Sequence, residues 1–114
     1  MIIKTIQLQK FSEVRFEEFR KKTIGFLRRN FAEWATGKDD VELRKYINSM
    51  IEFGKKYNVF KEINLQKLMH YHIQYQFDIP LRKNMEKLLN EGKLTEKNRI
   101  ENFHRGLKSE AAMK

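Results

Sequence analysis

The feature that most constrains this chain is a segment with no charge excess inside an otherwise basic sequence. Residues 58–80, NVFKEINLQKLMHYHIQYQFDIP, hold Lys61 and Lys67 against Glu62 and Asp78 and are dense in apolar and aromatic side chains. At helical spacing Leu65, Leu68, Met69, His72 and Ile73 form one face, and Tyr71 and Tyr75 lie one turn apart on another flank. Asn64 can cap the start of this helix. Pro80 is expected to stop it, because the residue before a proline avoids the helical region. A helix apolar around most of its girth belongs at the centre of a bundle. The segment is therefore expected to be the hub, with basic amphipathic helices around it.

The rest of the chain supplies those helices. Residues 1–11 read as an extended lead or an early helix. Ser12 can cap a first long helix, whose N-terminal end suits Glu13, Glu17 and Glu18. Phe16, Phe19, Thr23, Phe26, Leu27 and Phe31 recur at three and four, and the helix is expected to end near Trp34. Asp39 or Asp40 can cap a second, with Val41, Leu43, Tyr46, Ile47, Met50, Ile51 and Phe53 on its apolar side. Gly54 lies late in that helix, and Asn58 suits a left-handed terminal residue. After Pro80 comes a short helix with Leu81, Met85, Leu88 and Leu89 inward, closed by Gly92. Thr95 caps a last helix bearing Ile100, Phe103 and Leu107, with a frayed tail over residues 109–114. The expected fold is all-α: residues 1–114 as a compact single-domain bundle of four to five helices. Asp78 and Pro80 are assigned structural roles, Asp78 because its side chain can hold amides at the start of the following helix.

Composition narrows the surroundings. A chain of 114 residues is one domain large enough for a core of its own. It has no cysteine, so no disulfide framework and no thiolate metal site are expected. No apolar run reaches the roughly 18 residues of a membrane span, and the N-terminus lacks the pattern of a signal peptide. A cytoplasmic protein without membrane insertion is the expectation. The net charge is +9, and residues 1–37 and 80–114 each carry a positive excess of four. Such a field attracts nucleic acid, anionic membrane or an acidic protein without choosing among them.

Motifs of catalysis are not evident. His70 and His72 point about 200° apart on a helix and cannot share an ion. His104 lies outside any zinc-ligand spacing. The carboxylates fall on lysine-rich helix faces, as in the pairs Glu17 with Lys21, Glu18 with Lys22 and Glu52 with Lys56. The chain has no glycine-rich phosphate loop and no nucleophile motif, so neither an enzyme nor a cofactor or metal site is expected. Nucleic acid is an alternative partner, through Lys21, Lys22, Arg28, Arg29, Arg82 and Lys83. The interspersed acids and inward spacing of the aromatics speak against it. Tyr71, Tyr75 and Phe77 cluster at the end of the hub, where they read either as core or as an anchor patch for a protein partner.

The order of short motifs from residue 43 to residue 80 resembles the middle of a group of small helical proteins encoded beside bacterial type VI secretion effectors. That group shows a leucine-arginine pair leading a helix, a Tyr-Gly-Ile step, a glutamate with an acidic or amide residue two positions on, and Phe-Asp before a proline. The present chain has Leu43 and Arg44, then Tyr57, Asn58 and Val59, then Glu62 with Asn64, then Phe77, Asp78 and Pro80. Asn58 stands where the group carries glycine, and the group's tryptophan after the proline is missing. Upstream, FLRRNF at residues 26–31 is similar to the end of the group's first helix; downstream, Leu88, Leu89, Leu94, Arg99 and Ile100 are similar to its leucine-rich close. The resemblance implies a non-catalytic accessory protein whose partner is a secreted effector or toxin encoded nearby. Its role would be that of a loading adaptor or chaperone, or alternatively of an immunity protein that neutralises the toxin. The candidate partner-binding residues are Tyr71, Tyr75 and Phe77 as anchors, with Arg28 and Arg29 at a charged rim.

Overall fold

The structure, a computed structural model, describes the backbone of residues 2–113 and the side chains of residues 13–113. Every regular element among the described residues is helical: α1 (Ile2–Asn30), α2 (Ala32–Ala35), α3 (Asp40–Lys56), α4 (Glu62–Tyr75), α5 (Lys83–Leu89) and α6 (Glu96–Ala112). Six helices replace the expected four to five. The additional one comes from a break near residue 31. Phe31 leaves helical geometry, with φ −134° and ψ 50°. Its ring is half-buried, edge-on to Phe26 at 6.0 Å between centroids. Periodicity alone carries the helix through this position, because Phe31 continues the apolar stripe; one residue with both dihedrals out of the helical region is enough to detach the single turn that follows. Gly37 then takes φ 81°, the left-handed conformation that glycine adopts without steric cost.

The chain divides into two compact units, Met1–Ile47 and Asn48–Lys114, with the boundary inside α3. The first unit buries Phe19, Thr23, Leu27, Ala35, Leu43 and Ile47. Asp39 caps α3, accepting from the Glu42 amide at 2.9 Å. Arg44 makes a two-pronged bond to Glu17, at 2.7 Å and 2.8 Å. Ser12, expected as a cap, lies within α1, with no proline or glycine before it to delay the helix. Its side chain lies outside the described residues, as do Met1 and Lys114. Val41, assigned to the apolar side of α3, is 61% exposed: it sits in the first turn, before the helix turns its stripe inward.

The second unit is built on α6, which packs against both α4 and α5. The expected hub, α4, is thus one of two helices held by α6. Its N-cap is Lys61 and not Asn64; Asn64 stands inside the first turn and is buried. Ile63 on its opposite flank is 57% exposed, so α4 is not apolar-buried all round. Nor does Pro80 end it. The helix closes at Gln76, which takes φ 52° and donates its amide to the His72 carbonyl. Ile79–Pro80 is a cis peptide in the connection that follows.

The end of α3 is closed as anticipated. Asn58 has φ 57°. The Val59 amide donates to the Gly54 carbonyl at 2.8 Å and the Asn58 amide to the Lys55 carbonyl at 3.1 Å, the paired bonds of a Schellman turn. Asparagine tolerates the left-handed region where most residues do not. Gly54 is needed at this corner, because a β-carbon there would stand 2.5 Å from Leu65 Cδ2 and 2.9 Å from the Val59 carbonyl oxygen.

The first turn of α6 fastens the unit. Thr95 caps it, accepting from the Asn98 amide at 3.1 Å. Glu96 reaches the start of α4, accepting from the Phe60 amide at 2.6 Å and from Asn64 Nδ2 at 2.5 Å. Arg99, 8% exposed, donates to the carbonyls of Tyr57 at 2.6 Å, Leu89 at 2.8 Å and Asn58 at 3.2 Å. These carbonyls lie at the C-terminal ends of α3 and α5, where backbone dipoles favour a cation.

Candidate functional site

The aromatic residues assigned to partner binding come together at the C-terminal end of α4. Backbone geometry brings this about: the left-handed Gln76 turns the chain off the helix axis and lays Phe77 back against the unit. The Phe77 ring is half-buried, 5.3 Å from Phe103, 5.9 Å from Phe53 and 4.9 Å from His72 between centroids. Tyr71 is buried and stacks on His104 at 4.1 Å with 14° between the planes. Tyr75, one turn on and half-buried, sets its hydroxyl 3.3 Å from His104 Nε2.

Beside this cluster lies an open cleft of about 240 Å³, lined by Tyr75, Phe77, Asp78, Arg82, Leu107 and Glu110 among others. Its lining combines Tyr75, Phe77 and Leu107 with the polar and charged Gln74, Gln76, Asp78, Arg82 and Glu110. Arg82 donates to Glu110 at 2.7 Å, and Asn84 Nδ2 donates to the same carboxylate at 3.3 Å. Asp78 is exposed at the edge and makes no hydrogen bond among the described residues. The start of α5 has Arg82 at its N-cap, with no side-chain capping bond.

Burial sets the protonation of the cluster. It pushes His72 below the ordinary imidazole value. It does the same to His104, helped by the positive charge of Lys108 and by His70 and Lys67. The Tyr71 phenol is pushed up, by burial first and then by Tyr75 and Glu101. At neutral pH His72 and His104 are therefore held as neutral imidazoles and Tyr71 as a neutral phenol, suited to packing and to directional hydrogen bonds. His70 bonds to Gln74 at 2.8 Å and stands edge-on to Tyr71, 5.7 Å between ring centroids. Among the described residues no group of three histidine or acidic side chains could hold a metal ion.

Arg28 and Arg29 belong to the first unit. Arg28 is exposed, donating to Asp40 at 2.6 Å and to the Lys38 carbonyl at 3.2 Å. Arg29 is exposed, with its guanidinium beside Gly25. Tyr71, Tyr75 and Phe77 thus form one site, while the two arginines stand in another part of the chain. Sequence reasoning passed over the side chains that build the second unit around this site: Glu86, Glu96, Arg99 and the Tyr57 hydroxyl. Tyr57 donates to Glu86 at 2.7 Å, and burial with this carboxylate pushes the phenol up to about 12. One signal was available. Arg99 falls at four-residue spacing with Phe103 and Leu107, an arginine on an apolar stripe.

No helix among the described residues is long and apolar enough to cross a membrane. Comparison with protein-family models, curated proteins and solved structures returned no match.

Proposed function

We propose that this chain is a non-catalytic, protein-binding accessory of a type VI secretion effector, working in the cytoplasm as a loading adaptor or chaperone. The reading rests on the motif resemblance between residues 43 and 80. The observation that supports it best is the half-buried pair Tyr75 and Phe77 in a cleft that Arg82 and Glu110 also line. An apolar centre with a polar rim is the usual anatomy of a protein interface, and tyrosine gives large contact area at small entropic cost. In this reading Tyr75 and Phe77 are the anchors, and Tyr71 backs Tyr75 through His104. Arg28 and Arg29 steer the encounter from the first unit, since rim charges act chiefly on association rate. The arginines supply little to a nucleic-acid reading: Arg28, Arg44 and Arg82 are each bonded to a carboxylate, and Arg99 is buried.

Co-expression with the neighbouring effector gene, followed by affinity purification, tests the proposal. A stoichiometric complex is expected, weakened by Tyr75→Ala with no loss of fold. Arg28→Glu is expected to slow association without changing dissociation. Recovery of the chain alone would refute the reading. Loss of effector secretion on deletion of the gene supports a loading role; self-poisoning of the deletion strain would replace it with an immunity role.

A further inference from the structure

A second cleft in the same unit, of about 260 Å³, lies between the turn after α3 and the loop after α5, with Arg99 in its wall. The guanidinium has five N–H donors. Nη1 uses both of its own on the Tyr57 and Leu89 carbonyls, and Nη2 uses one on Asn58. The Nε–H and one Nη2–H remain. These two nitrogens share one edge of the plane, the edge that receives a carboxylate side-on. Every fully buried side-chain nitrogen or oxygen among the described residues has a partner. The Nε makes no bond among the described residues and so is not fully buried, and Arg99 lines the cleft. No carboxylate stands within ion-pair distance of Arg99 among the described residues. Its charge is met by carbonyl dipoles alone.

We propose that this cleft is a binding site for a free carboxylate, of the kind borne by a chain terminus or an acidic side chain. Arg99 offers a fixed two-donor fork, held in place by three carbonyls. The exposed side-chain amides of Asn58 and Asn90 also belong to the cleft, and neither side chain is bonded to another described residue. Leu94 forms an apolar wall. A monoanion with two in-plane oxygens matches one guanidinium edge. The proposal is independent of the effector reading: it concerns a different cleft and needs no neighbouring gene.

The test is a titration of the intact, nitrogen-15-labelled chain, followed at the Arg99 Nε–H resonance. The probes are N-acetylglycine, for a chain terminus, and N-acetylaspartic acid α-amide, for a side chain. A saturable shift with either supports the site, and the tighter probe identifies the source. N-acetylglycine amide, uncharged, is expected to bind at least about tenfold more weakly, the loss of a charge-assisted fork. Gly92→Asp supplies an internal competitor, since a β-carbon at Gly92 meets nothing within 4 Å. The folded variant should lose the response to both carboxylates. No saturable shift, an equal response to the amide, or an unchanged response in Gly92→Asp would overturn the proposal. Tighter binding of inorganic phosphate would overturn the assignment to carboxylates.

Discussion

Glu96 and Arg99 stand one turn apart on α6 and close helix ends of opposite polarity. The Glu96 carboxylate accepts amides at the start of α4, and the Arg99 guanidinium donates to carbonyls at the ends of α3 and α5. Helix ends leave amides or carbonyls without intrahelical partners, and burial makes them costly to leave unmet. One turn of α6 therefore serves the ends of three other helices. The aromatic site rests on this arrangement, since α4 carries Tyr71 and Tyr75 and α6 carries His104.

Removal of the guanidinium should be the most damaging single change in the second unit. Arg99→Met keeps the bulk of the side chain but leaves the carbonyls of Tyr57 and Leu89 without their buried donor. The expected cost is about 3 kcal/mol, the scale of lost hydrogen bonds to a charged group. Arg99→Lys should recover only part of it, because a compact ammonium cannot present the same planar fork. Urea denaturation midpoints check both variants.

Gly54→Ala should destabilise although it raises helix propensity. Alanine favours a helix interior by about 1 kcal/mol over glycine. Against this, the new methyl would stand 2.5 Å from Leu65 Cδ2 and 2.9 Å from the Val59 carbonyl oxygen. Leu65 is buried and the second obstacle is backbone, so neither yields freely. A net loss of about 1–2 kcal/mol is expected from overpacking, read as a lower thermal midpoint. A gain in stability would show that the corner can open.

The first unit should lose stability in acid through Glu17. Its hydrogen bonds to the Arg44 guanidinium, aided by the nearby charges of Arg44 and Arg20, hold the carboxyl at about 2, down from 4.5. A carboxyl lowered on folding contributes stability that is complete above its unfolded value and is lost as pH falls through its folded value. The window is therefore between about 4.5 and about 2. Denaturation midpoints measured across it should fall with pH in the wild-type chain, and Glu17→Gln should flatten the slope.

His104 acts at a higher pH with the same direction. Burial and the charges of Lys108, His70 and Lys67 lower its proton affinity, and burial lowers that of His72. A histidine lowered on folding stabilises the fold fully above its ordinary value near 6.5, and the contribution is lost as pH falls below it. Acidification from pH 7 towards pH 5 (approximate limits that bracket the ordinary imidazole range) should weaken the stack on Tyr71. The checks are the His104 imidazole resonance, which should titrate below the free value, and a smaller pH slope in His104→Phe.

Much of the helical plan is legible without coordinates. Phe19, Leu27, Leu43, Ile47, Leu65, Leu68, Ile100 and Phe103 are buried where their spacing puts them, because side chains three and four apart share a helix face. The caps at Asp39 and Thr95 and the left-handed Asn58 are equally local. Local chemistry suffices for them: a short oxygen-bearing side chain finds an amide two or three residues away whatever the rest of the chain does.

Tertiary structure decided what depends on residues far apart. The break at Phe31 interrupts a stripe that runs on unbroken in sequence. The early end of α4 at Gln76 required a left-handed residue that no glycine announces. Glu96 looks like an ordinary surface charge in a basic chain, and Arg99 is marked only by its place on an apolar stripe, until the 57–61 turn is laid against them. Tyr71 shows the same limit from the other side: its spacing marks it as aromatic and near the end of α4, but only the stack on His104, contributed by α6, ties it to the Tyr75 hydroxyl. Helix periodicity is a property of neighbours along the chain, whereas capping between helices and ring stacking depend on which ends meet in space.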